Sequence, residues 1–138
     1  MGKPDEKYLP FQANLVGQVD FTVNAESSDT ITVNCQFKDH NGNDLGEPVA
    51  GRLYLSDDSL GLDVVSTAAS GGITAGTDGS IQPIEHGSSA VGKHAGFITE
   101  ADGDLDVNVI HSGAKTCYLV IVLPSGRLEV SSVLTFGA

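Results

Sequence analysis

Apolar residues recur at every second position through much of the chain, and no segment sustains an apolar stripe of helical period, so the pattern predicts strands and little helix. In 14–23, Leu15, Gly17, Val19, Phe21 and Val23 share one face. In 29–38, Ile31, Val33, Cys35 and Phe37 alternate with Thr30, Thr32, Asn34, Gln36 and Lys38, a strand with one buried and one wet face. Residues 49–56 set Gly51, Leu53 and Leu55 against Arg52, Tyr54 and Ser56. Near the carboxyl end, 96–100 reads as a short strand. Residues 104–111 alternate Leu105, Val107 and Val109 with Asp104, Asp106 and Asn108. In 127–136, Leu128, Val130, Ser132, Leu134 and Phe136 fall on one face.

One strand breaks the rule. In 116–124, Cys117, Leu119, Ile121 and Leu123 form one face and Tyr118, Val120 and Val122 the other, and both are apolar. A strand covered on one side alternates apolar with polar, so something must cover the second side here. Either the 57–97 segment folds over it or another molecule does; left bare, it would be an unusual patch for a monomer. Residues 57–97 are weakly patterned: 62–67 is a candidate strand, 68–97 carries seven glycines, and Ile73, Ile81, Ile84 and Val91 are isolated apolar points. Long loops with one or two short strands are expected there.

The turn formers between segments, such as Asn41-Gly42, Asp102-Gly103 and Pro124-Ser125-Gly126, complete an all-β reading: an antiparallel β-sandwich of about eight strands with long Gly/Ser-rich loops, Ig-like or jelly-roll in strand order. At 138 residues the chain is one domain, 14–138, preceded by an N-terminal extended arm, 1–13. Within the arm, Pro4 and Pro10 oppose a helix, and Tyr8, Leu9, Pro10 and Phe11 make an apolar knot suited to tethering a neighbouring molecule.

Charge narrows the partners. Seven Lys and Arg face eighteen Asp and Glu, for a net charge of -11. Such a surface repels nucleic acid and anionic membranes and suits a basic partner. The opening MGKPDEKYLPFQ has no apolar run of signal-peptide length, and no segment is long and apolar enough for a spanning helix, so folding in a cytosol is expected. Two cysteines do not make a disulfide framework.

Candidate chemistry is thin. His40, His86, His94 and His111 have no metal-type spacing with one another or with a cysteine and read as solvated loop residues. Asp102, Asp104 and Asp106, with Glu100, offer oxygen ligands at alternate positions, but the spacing departs from a calcium loop and equally describes exposed strand acids. Asp57 and Asp58 read as a solvated turn rather than a general acid and base. There is no G-x-S-x-G elbow and no phosphate-binding G-K-[ST]. No catalytic residue, cofactor or metal is therefore expected, and the chain reads as a non-enzyme.

Two stretches carry a resemblance. ITVNCQFKDHNGNDLGEPVAGRLYL is similar to the second and third strands of bacterial immunoglobulin-like domains of the invasin and intimin kind, through Asp39, Gly42, Pro48, Val49, Ala50 and Gly51, with Asp44 to Glu47 as an apparent insert. EADGDLDVNVIHSGAKTCYLVIV resembles their later half through Asp102, Gly103, Gly113 and Tyr118, although Gly113-Ala114 reverses the usual order. The resemblance implies that Tyr118, Val120 and Val122 turn into the core and that Cys117, Leu119, Ile121 and Leu123 are the surplus face. Cys35, a core residue by its own alternation, would then lie across a sheet from Cys117, unbonded; an antibody-like link between sheets is the competing reading.

In size, paired strands and the ending RLEVSSVLTFGA, the whole also resembles capsid decoration or cement proteins of short-tailed bacteriophages. That resemblance implies a structural virion protein on the capsid outer surface, made in the host cytoplasm, that binds the major capsid protein and cements neighbouring coat subunits. It implies a homodimer, with Tyr8, Leu9 and Phe11 of the arm reaching a coat subunit and the strand face of Leu119, Ile121 and Leu123 serving the dimer. The alternative is an Ig-like adhesion module of a phage tail or surface protein, binding a receptor or glycan through 57–97.

Overall fold

The computed structural model describes residues 15–82 and 92–137, and within these it is built of antiparallel strands without a helix. The strands are β1 (Gln18–Val23), β2 (Thr30–Lys38), β3 (Ala50–Ser56), β4 (Gly72–Ala75), β5 (Ser80–Gln82), β6 (His94–Ile98), β7 (Asp104–Ile110), β8 (Lys115–Val122) and β9 (Leu128–Phe136). The expected arm, with Tyr8, Leu9 and Phe11, lies outside the described residues, as do Ile84, His86 and Val91.

Two sheets face each other, one ordered β1-β2-β7-β4 and the other β5-β6-β3-β8-β9. The four-stranded sheet reproduces the A-B-E-D order of a constant-type immunoglobulin sandwich, and β3-β8-β9 its C-F-G order. The β5–β6 hairpin extends the second sheet beyond β3. Between the Ig-like and jelly-roll alternatives, the pairing is Ig-like.

The core lies between the sheets. Ile31, Val33, Cys35 and Phe37 of β2 and Leu105, Val107 and Val109 of β7 meet Leu53 and Leu55 of β3 and Cys117, Leu119 and Ile121 of β8. Phe37 and Phe97 bring rings from opposite sheets to a centroid distance of 5.4 Å.

The two faces of β8 are the reverse of those expected. Cys117, Leu119, Ile121 and Leu123 are the inward set, each at most 3% exposed, whereas Tyr118, Val120 and Val122 point away from the opposite sheet. Leu119, Ile121 and Leu123 are consequently not a free strand face for a partner. Cys117 and Cys35 both enter the core, from β8 and β2, and both are free thiols. Burial pushes the Cys35 thiol far up and the Cys117 thiol up to about 11, so both stay protonated and inert at neutral pH.

β9 also departs from simple alternation. Tyr118 pairs with Val133 but Val120 with Val130, so two residues, Ser131 and Ser132, stand opposite Leu119. The Ser131 hydroxyl accepts the Leu119 N–H at 3.0 Å, supplying the bond that the bulge removes from the ladder. The bulge splits the expected face: Leu134 and Phe136 point inward, while Leu128 and Val130, only half-buried, lie on the outer side with Val120.

Side chains join the outer edges of β1 and β9 at both ends of the two strands. Glu129 Oε1 accepts the Val19 N–H at 2.9 Å, Arg127 donates to the Gly17 carbonyl, and Glu26 Oε1 accepts the Gly137 N–H at 3.0 Å. Arg127 and Glu129 are themselves paired at 3.8 Å.

Candidate functional site: the outer face of the five-stranded sheet

What covers the second side of β8 is the chain itself, in part. Residues 57–65 leave β3, fold back over the sheet and return beside it. Val65 N–H bonds to Leu55 O at 3.0 Å and Asp57 N–H to Asp63 O at 2.8 Å. Gly61 is the point of contact. Its φ of +76° suits glycine, and a Cβ there would sit 3.2 Å from Val120 Cγ2 and 3.3 Å from Val130 Cγ2. Tyr54, from the outer side of β3, donates its hydroxyl to the Gly61 carbonyl. Val120 is thereby fully buried although it lies outside the main core.

The loop holds its own shape. Asp58 Oδ1 accepts the N–H groups of Leu60 and Leu62 at 3.0 and 2.9 Å. These bonds, that from Leu62 foremost, hold the Asp58 carboxyl below the usual carboxylate range. The Ser56 hydroxyl accepts the Asp58 N–H at 3.1 Å and lies 2.9 Å from the carbonyls of Asp58 and Asp63. Asp57 Oδ2 accepts the Ser66 N–H at 3.0 Å. Partial burial, with Asp58 nearby, raises the Tyr54 phenol and keeps it a donor. Asp57 and Asp58, expected as a solvated turn, are thus the anchors of a structured one.

This arrangement leaves Leu60 and Leu62 projecting, 68% and 74% exposed, on either side of the buried Gly61. The other large apolar residues exposed among the described ones are Val64, Ile98 and Val133. Val64 bridges Ser56; Ile98 alternates with the inward Phe97 on β6, and Val133 pairs with the outward Tyr118. All five therefore lie on the outer side of the five-stranded sheet. Strand alternation does not mark them as a group. The signal was present in DDSLGLD, where two leucines flank a glycine between aspartates.

The other candidates are scattered. Asp106 is buried, bonded to Asn34 Nδ2 at 2.6 Å and to the Asp78 N–H at 3.2 Å. Asp78 and Asp104 stand beside it with carboxyls pushed up, first by partial burial and then by neighbouring acids. Among the described residues, no group of three or more His, Cys, Asp or Glu is arranged to hold a metal ion. His111, expected as a solvated loop residue, is half-buried: its Nδ1 accepts the Ser70 N–H at 3.0 Å, and its ring stands edge-on to Phe136 at 5.7 Å. An open hollow of about 330 Å³ is lined by Leu15, Asp39, Asp44, Leu45, Gly46 and Glu47, beside the first of the described residues.

No family model matches the chain, and no curated protein does. Among solved structures it is similar to a cohesin module from the family 33 glycoside hydrolase of Clostridium perfringens. The TM-score is 0.43 at 16% identity, over 89% of this chain and 98% of that one.

Proposed function

We propose that the chain is a non-enzymatic structural protein of a bacteriophage particle, a cement protein that binds the outside of the capsid and clamps neighbouring coat subunits. The observation that carries this reading is the one-sided distribution of exposed apolar side chains: Leu60, Leu62, Val64, Ile98 and Val133 share one side of an otherwise acidic molecule. A small sandwich with one adhesive side suits a protein that lies against a lattice, where many copies each add a modest affinity. The surplus face of β8, expected to serve a homodimer, is in the core, so the clamp works through the outer face and the arm.

Co-sedimentation of the purified chain with empty shells tests this. Saturable binding in a fixed ratio to coat subunits is expected at physiological salt; absence from the pellet defeats the reading, and a glycan-array signal in its place turns it towards an adhesion module. Deleting residues 2–12 should lower the bound fraction without moving the melting temperature. An unchanged bound fraction removes the arm from the contact.

A further inference from the structure

Resting on the cement reading, we propose that the 57–65 loop is the principal contact on this surface, and that its seat is an apolar socket of a coat subunit bordered by Lys or Arg. Three observations converge. The loop offers Leu60, Leu62 and Val64 to solvent, the first two more than two-thirds exposed, although burying such side chains is what stabilises most folds. It is also held in one shape before any partner arrives. Asp58 fastens the N–H groups of both leucines, Tyr54 fastens the intervening Gly61 carbonyl, and Gly61 rests on Val120 and Val130. Apolar prongs on a fixed frame lose little freedom on docking, which is the property of an interface anchor.

The third observation is charge, and it selects the occupant. Asp57 and Asp63 flank the prongs and are exposed, and no Lys or Arg occurs between Arg52 and Lys93. Lys93 and Lys115 point back to the Ser66 and Thr67 carbonyls at the base of the loop, and Arg52 is exposed on the same side of β3 as Tyr54. A second copy meeting this loop about a twofold axis would set aspartates against aspartates on chains that each carry -11. Anionic lipid is repelled likewise. A socket with an apolar floor and basic border complements both features at once.

The test uses the full chain and empty shells in a binding titration, with two double variants. Leu60→Ser with Leu62→Ser should raise the half-saturating concentration roughly tenfold or more, with melting unchanged because both side chains are exposed. Asp57→Asn with Asp63→Asn should weaken binding several-fold and flatten its salt dependence. If the serine variant binds like the wild type while the wild type binds shells, the loop is not the contact and the cement reading stands. If the wild type does not bind shells, both fall. If sedimentation velocity instead shows a wild-type dimer that the serine variant converts to monomer, the seat is a second copy and the basic socket is refuted.

Discussion

The outer faces of the two sheets are built from the same strand geometry and treat water in opposite ways. On the four-stranded sheet the outward residues of β2 and β7 are knitted together: Thr32 Oγ1 donates to Asn108 at 2.7 Å and Asn34 Nδ2 to Asp106 at 2.6 Å. Asn24 Nδ2 donates to Asn34 at 2.7 Å, and Lys38 pairs with Asp20 and Asp44 at 3.7 and 3.2 Å. That face satisfies its polar groups internally and ends in solvent. On the five-stranded sheet the outward Tyr118, Val120 and Val122 of β8 and Leu128, Val130 and Val133 of β9 are largely apolar, and one short loop covers only their middle. A polar outer face is complete in a monomer; a half-covered apolar one has area left over for contact.

The contrast can be broken most forcefully from the inside. Leu119→Ala removes an inward, fully buried side chain and should cost about 2–5 kcal/mol in urea unfolding. A loss under about 0.5 kcal/mol would mean that Leu119 is not packed between the sheets. Gly61→Val should cost about 1–3 kcal/mol, because it combines a positive φ with contacts to Val120 and Val130, and should speed proteolysis within the loop. Next comes a matched pair. Thr32→Val deletes the bond to Asn108 and should cost about 0.5–1.5 kcal/mol. Val133→Thr, at a site 41% exposed, should stay within about 0.5 kcal/mol of wild type. Equal losses would erase the distinction between a knitted face and an open one.

The smallest effect is electrostatic. Asp104 has a raised carboxyl pKa in the folded chain, so the native state holds its proton more tightly than the unfolded state does. Stability therefore falls as pH climbs from the ordinary value of 3.8 through the raised one, and stays lower above it. Asp104→Asn should melt slightly higher than wild type at pH 7 and low salt, with the gap closing in acid and in high salt. A variant that melts lower at pH 7 would show that this carboxylate stabilises the fold.

How far the sequence revealed this molecule depended on contrast between neighbouring positions. β2 was legible because its wet face is Thr, Asn, Gln and Lys, and β7 because Asp and Asn mark its outer side. The sandwich followed from such segments and the turns between them. In β8 alternation separated Cys117, Leu119 and Ile121 from Tyr118, Val120 and Val122 correctly, but with both sets apolar it held no information on which faced the other sheet. The bulge in β9 was invisible, because an extra serine in a run of Ser and Val changes no pattern. Residues 62–67 are a candidate strand by sequence, yet only Val64 makes a bridge there, and Asp58 and Gly61 shape the start of that stretch into the covering loop. The side carrying the exposed apolar residues was illegible for a related reason: it combines a loop, β6 and β9, residues far apart in the chain.

The corner where Glu129 meets Val19 and Arg127 meets Gly17 bears on solubility. Bare rims of a pleated layer can template one another, the route by which sheets grow into fibres. With a carboxylate and a guanidinium already occupying backbone groups at that corner, a neighbouring strand there finds little to zip onto.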